Sequence, residues 1–207
     1  MMHLPQRVVM FILGIFLMTL GIALSCKAGL GTTPISSVPY VMSMYTGYTI
    51  GELTIAMNFI FIAAQPLLLH AFHWKKLIGQ AVTLFMFGPE IDICMNFLSP
   101  FTPQNYYEMW AICILSAFIL AMGVFLSIKA NIFTAAGEGL VLAMEQVTKI
   151  NFAFLKNCFD VGLVTISLMI SFDVFGEMRG VGAGTIAAAV LVGRIVRVYE
   201  KNLNFCK

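Results

Sequence analysis

The stretch GIALSCKAGLGTTPISSVPY, residues 21–40, begins as the end of an apolar helix and then breaks. After Lys27 come Gly29, Gly31, Thr32, Thr33, Pro34, Ser36 and Ser37. A plain loop between two membrane helices needs no such run of backbone breakers and hydroxyls. A second stretch, GVFLSIKANIFTAAGEGLVL at 123–142, puts Gly, Leu, Ser, Lys, Ala and Thr at the same relative places. Setting residues 12–32 against 114–134, at a constant offset of 102, gives nine identical pairs in 21. Matches between apolar residues come cheaply, but the shared Ser-x-Lys-Ala of Ser25/Ser127, Lys27/Lys129 and Ala28/Ala130 does not. The register extends to Leu53/Leu155 and Asn58/Asp160 and, after a shift of three, to Gly79/Gly184 and Gly88/Gly193. The chain therefore reads as two homologous halves, 1–104 and 105–207, forming one membrane domain.

Of the 207 residues, 60% are hydrophobic and 11% charged, far from the roughly 25% charge of a soluble domain. At about 20 residues per span, the length leaves no room for a separate soluble domain. A net charge of +2 is too small to suggest nucleic acid, and no nucleic-acid partner is expected. The five cysteines are scattered without a CxxC and read as packing residues. Arg7, an apolar run and Ala23-Leu24-Ser25-Cys26 imitate a lipoprotein signal. The internal copy ending at Lys129 marks that segment as a mature helix.

Each half contains the same parts. The first has spans at 7–27, 50–72 and 77–98 and a short segment at 33–46; the second has spans at 110–129, 153–173 and 180–200 and a short segment at 133–147. As helices the short segments reach roughly 21 Å, less than a hydrocarbon core of about 30 Å. They read as broken or re-entrant helices. Three spans per half invert the second half relative to the first. With the N-terminus inside, the inner ends then hold ten of the twelve Lys and Arg residues, and the outer ends only Lys27 and Arg179. If the short segments crossed, the count would be seven to five. The positive-inside rule favours the first arrangement. The expected fold is an all-α integral membrane protein, an inverted repeat with three transmembrane helices and one short helix per half, and both termini in the cytoplasm.

In this arrangement Gly29 and Gly31 turn the backbone, Thr32 or Thr33 caps a new helix, and Pro34 suits its first turn. Thr134 is the matching cap in the second half. Helix N-termini attract anions, and broken helices in two inverted copies build the central site of many secondary transporters. The expected solute-binding residues are Lys27, Gly29, Gly31, Thr32, Thr33 and Ser36 in one half and Lys129, Thr134 and Glu138 in the other. The competing reading has the lysines snorkelling to opposite surfaces and the glycines only packing helices.

The segments KAGLGTTPISSVPYVMS (27–43) and YTIGELTIAMNF (48–59), with FGPEID (87–92), resemble the YitT/YczE type of bacterial integral membrane proteins. The resemblance covers nearly the whole chain. It implies a protein of the bacterial inner membrane, in the transporter class, with no settled substrate.

Charges at membrane depth each ask for a reason. Asp160, paired with Asn58 in the repeat, is a candidate ion or proton site or else a clamp between helices. Glu138 stands opposite Ser36 and could pair with Lys129 or Lys27, or hold a cationic group. Glu90 and Asp92 follow Gly88-Pro89 and fit an outer surface, with Glu90 kept as a candidate intramembrane group. His70 and His73 read as interfacial. No catalytic constellation, metal site or cofactor motif is present, and an enzyme is not expected. The leading expectation is a small secondary transporter or channel-like carrier for an anionic or zwitterionic solute. The alternatives are a membrane-embedded binding subunit of an ATP-driven importer and a non-transport scaffold or regulator. The expected partners are the solute and the lipid bilayer, with a homodimer compatible with the chain.

Overall fold

A computed structural model describes residues 3–202, so Lys207, counted above among the inner cations, and Cys206 lie outside the described residues. The described residues form eight helices: α1 Leu4–Ala28, α2 Pro34–Thr46, α3 Ile50–Leu69, α4 Trp74–Phe97, α5 Tyr106–Ala130, α6 Ala136–Thr148, α7 Phe152–Phe175 and α8 Ala183–Asn202. The residues at the breaks explain the boundaries. Gly29 ends α1 and Asn131 ends α5, both in the left-handed conformation that closes a helix. Pro34 occupies the first turn of α2. Thr49 and Glu52 form a reciprocal capping box at the start of α3, and the side chain of Asn151 accepts from Ala153 N at the start of α7. Both ends of α1 and α2 and the start of α3 recur 102 residues later in α5, α6 and α7.

α1 and α5 form the closest helix pair and run antiparallel. A Cβ on Gly14 would lie 2.9 Å from Ser127 N, one on Gly21 2.8 Å from Leu120 N, and one on Gly29 3.0 Å from Met109. Arg7, near the start of α1, donates from Nε to Ala130 O at 2.8 Å and from a second guanidinium nitrogen to Asn131 O. A cation thereby closes the C-terminal end of α5, where the helix dipole favours it. α2, α3, α6 and α7 pack in a closed ring, α2 on α3, α3 on α6, α6 on α7 and α7 on α2. α4 lies on α1, and α8 lies on α5. Exchanging the halves maps each of these contacts onto another of the same set. The exception is α3 on α4, whose counterpart α7 on α8 is not among the substantial contacts.

Five helices, α1, α3, α4, α5 and α7, are long and apolar enough to cross a membrane. The sequence predicts six. The sixth candidate, α8, has the 20 residues of α3 but carries Arg194, Arg197 and Lys201, and falls short in apolarity. α2 and α6 have 13 residues each, about 20 Å at 1.5 Å per residue, and so stay shorter than the hydrocarbon core. Large exposed apolar side chains along the long helices, among them Phe59, Leu67, Phe85 and Val161, suit a lipid-facing surface.

Candidate functional site

The first glycine-threonine stretch is used up by packing. Leu30 O accepts from Gly184 N at 2.8 Å, and Thr32 N donates to Gly180 O at 3.4 Å. A Cβ on Gly31 would lie 2.6 Å from Gly182 N, so the α1–α2 loop lies backbone to backbone on the α7–α8 loop. The buried hydroxyls find protein partners: Thr32 Oγ1 and Ser25 Oγ are 2.8 Å apart, and Thr33 Oγ1 donates to Ser36 Oγ at 3.1 Å. Thr33 occupies the N-cap position of α2 but makes no side-chain bond to a backbone N–H. Lys27 is half-buried in the last turn of α1. The second stretch differs. Thr134 is exposed, and the cap position of α6 belongs to Ala135, not Thr134. Lys129 lies 5.1 Å over the ring of Phe125. Because α1 and α5 are antiparallel, Lys27 and Lys129 sit at opposite ends of the pair. The expected convergence of the two stretches on one cavity is therefore not found.

A cleft of about 390 Å³ opens instead among the C-terminal end of α3, the N-terminal end of α4, the α5–α6 loop and α6. Thr134 is the one expected site residue on its wall. The exposed His73, Lys75 and Lys76 also line it. Its floor holds Gln65 of α3 and Gln80 of α4, only 5% and 3% exposed. Gln65 Nε2 donates to Gln80 Oε1 at 2.7 Å, and Gln80 Nε2 donates to Gln65 Oε1 at 3.1 Å. Gln65 Nε2 also reaches Ala136 O at 3.4 Å, in the first turn of α6. Gly139 makes room for the pair, since a Cβ there would collide with Gln80. The cleft wall contains no carboxylate, so its fixed charge is positive. Neither glutamine stands out by spacing, since they are 15 residues apart across a turn; their one sequence signal is a polar amide inside an apolar helix.

The remaining polar residues fall into two groups. Between α6 and α7, Lys156 forms an i,i+4 ion pair with Asp160, and Glu138 lies within electrostatic reach of both. Glu138 thus has Lys156 as its cationic neighbour. The repeat-equivalent positions hold Ser36, Thr54 and Asn58, where Asn58 Nδ2 donates to Thr54 O at 3.0 Å. One half carries charges where the other carries neutral polar groups. Between α4 and its neighbours, Glu90 is half-buried and faces Thr19 of α1, with one carboxylate oxygen making no hydrogen bond. Asp92 is a clamp: Oδ2 accepts from Thr49 Oγ1 at 2.6 Å and Oδ1 from Gly51 N at 2.9 Å. Gly51 packs directly on Gly88 O. The Thr-Ile-Gly and Gly-Pro-Glu-Ile-Asp segments that carry the family resemblance are thus two sides of one contact.

The model of a family of unknown function (DUF6198) matches residues 5–201. Among curated proteins, the uncharacterized membrane protein YczE of Bacillus subtilis (strain 168) is 24% identical over 196 residues, covering 94% of this chain and 86% of that protein. The uncharacterized protein YyaS of the same organism is 21% identical over 188 residues, covering 90% and 89%. These matches bear out the YczE-type resemblance. No solved structure matches.

Proposed function

The chain belongs to the DUF6198 family of unknown function, as a YczE-type membrane protein, and we propose that it is a small secondary carrier for a small anionic or zwitterionic solute. The observation that carries this reading is the cleft, with cations at its mouth, no carboxylate on its wall and a buried amide pair at its floor. Lys75 and Lys76 draw an anionic group in, and the glutamine amides offer N–H and C=O to the rest of the solute. The inverted repeat is part of the reading. Its support is the recurrence of helix ends at 102 residues, the exchange of contacts between halves and the antiparallel α1–α5 pair. Under the positive-inside rule the cleft opens to the cytoplasm, in the bacterial cytoplasmic membrane. The reading moves the solute site away from Lys27, Gly29, Gly31, Thr32, Thr33 and Ser36, and leaves Thr134 on it. It involves no bond-making chemistry and so no catalytic residue.

The test is a thermal-shift panel on the purified protein in detergent, with small carboxylates, phosphate, amino acids, amines and neutral polyols. At least one anionic or zwitterionic compound should raise Tm. The Lys75→Ala/Lys76→Ala variant should weaken that compound by roughly tenfold or more, the loss of a charge-assisted hydrogen bond or two. Only amines or neutral compounds shifting Tm, or a hit indifferent to both lysines, would sink the proposal.

A further inference from the structure

The cleft has a counterpart that the structure shows closed. By the repeat register, Gln65 corresponds to Ser167, Gly139 to Ser37 and Gln80 to Thr185. All three counterparts are buried, at 0%, 0% and 1% exposure. The contacts that flank the two places also correspond. Gly79, at the start of α4, meets the ring of Phe133 in the α5–α6 loop, and its counterpart Gly184 meets Leu30 in the α1–α2 loop. The two contacts differ in kind. On the cleft side the loop rests on a phenylalanine side chain, which holds the backbones apart. On the other side Gly31 stands where Phe133 stands in the repeat, and the loops join through the Gly184 N to Leu30 O bond and the Thr32 N to Gly180 O bond. A Cβ on Gly182 would lie 2.8 Å from Leu30 O. The repeat register sets Ser167 behind this seal as Gln65 is set at the cleft floor, and its buried hydroxyl makes no hydrogen bond. An unpaired polar group buried in a membrane protein costs free energy, and a packed wall of small residues did not require a hydroxyl there.

We propose that Ser167, with Thr185 and Ser37, forms a second solute-binding site facing the opposite side of the membrane, reached when the 29–32/180–185 loop contact parts. It rests on the carrier reading above, and its ligand is the same small anionic or zwitterionic solute, met there by hydroxyls. Glycine-to-glycine contact makes the seal tight but narrow. Two backbone hydrogen bonds hold it, and α8 does not pack substantially on α7 behind it. α8 can therefore part from α7 while it stays packed on α5. In that state Ser167 gains a partner in the solute, and the cleft on the first face shuts.

The experiment uses the full chain in membrane vesicles of both orientations, with the five native cysteines replaced by alanine. One variant then carries Ser167→Cys and another Thr134→Cys. The probe is a membrane-impermeant cationic methanethiosulfonate. Residue 134 should label from the face that carries the N-terminal end of α1. Residue 167 should label from the opposite face only, and more slowly. Gly182→Ala should raise the rate at residue 167 by about fivefold, the effect of one lost hydrogen bond, and leave residue 134 labelling from its own face. Should Gly182→Ala fail to fold, judged by gel filtration and Tm, the Ser167→Cys variant alone decides. Residue 167 inert from the opposite face, or labelled from the same face as residue 134, overturns the second site. If residue 134 labels and an anion binds while residue 167 stays inert, the cleft stands as a one-sided pocket and only the second site falls. A cleft that neither labels nor binds an anion removes the carrier reading itself.

Discussion

Asp92 fastens α3 to α4 with one carboxylate, accepting from Thr49 Oγ1 and from Gly51 N at the helix N-terminus, where a negative charge is favoured by the dipole. Asp92→Ala should therefore cost about 2–3 kcal/mol, the sum of a charge-assisted bond and the helix-end term, read as a lowered midpoint of unfolding in mixed micelles. The glutamine pair behaves differently, because each amide is the other's main partner. Gln65→Met should cost about 1–3 kcal/mol by stranding the buried Gln80 amide. The Gln65→Met/Gln80→Met double variant should recover most of that stability, yet lose any solute-induced shift in Tm. A double variant less stable than the sum of its singles would refute the pairing. At this scale the sequence was only partly legible. Asn58, Asp160 and Glu138 drew notice as charged or amide groups in apolar segments, and they do lie in matching polar clusters. The i,i+4 spacing of Lys156 and Asp160 does offer the ion pair, but nothing in the sequence shows that Glu138 of α6 comes within reach of both. An outer-surface place for Asp92 is compatible with its bond to the exposed Thr49, but a lone carboxylate does not reveal that another helix begins beside it.

The helices themselves were the most legible part, since Gly29, Thr33-Pro34, Thr49, Asn131 and Asn151 stand at their breaks. Helix-to-helix distance was less legible, because a glycine in a helix reads the same whether a neighbour touches it or not. Gly88 and Gly193 show the difference. They occupy equivalent places in α4 and α8, but a Cβ on Gly88 would fall 2.5 Å from the side chain of Ile55, while Gly193 has nothing within 4 Å. Gly88→Ala should lower stability by about 1–3 kcal/mol, the range for overpacking. Gly193→Ala should leave it unchanged or raise it by up to about 1 kcal/mol, the gain in helix propensity. Parallel thermal unfolding of the two variants checks this, and equal destabilisation would refute the looser seating of α8. The same looseness agrees with the charges on α8, since Arg194, Arg197 and Lys201 separate it from the five apolar helices.

At the scale of the whole molecule, the antiparallel α1–α5 pair constrains how the chain threads the bilayer. α1, α3, α4 and α5 each have the length and apolarity of a span. If all four cross and α2 does not, α1 leaves the inner face, α3 returns, α4 leaves and α5 returns, so that α5 opposes α1. Were α2 to cross as well, α5 would run parallel to α1. That order conflicts with Gly14 against Ser127 and Gly21 against Leu120, and with Arg7 on the carbonyls that end α5. The packing thus agrees, without counting charges, with the opposed directions of α1 and α5 in the arrangement that the positive-inside rule favours. What neither route could give is the position of the cleft. A repeat predicts two equivalent sites, and here single replacements separate them, Phe133 for Gly31 in the flanking loop and Gln65 for Ser167 behind it. Orientation is checked with reporter fusions: one that glows only in the cytoplasm and one that is active only outside it. A fusion after residue 104 should report the outside, and fusions after residues 72 and 202 the cytoplasm. With the N-terminus inside, a cytoplasmic signal at 104 would require α2 to cross, or one of α3 and α4 not to cross, and either would break the antiparallel pair on which the inverted reading rests. A cytoplasmic signal at 72 with an outside signal at 202 would spare that pair but remove α8 from the spans, leaving five crossings and a repeat whose second half ends on the membrane surface.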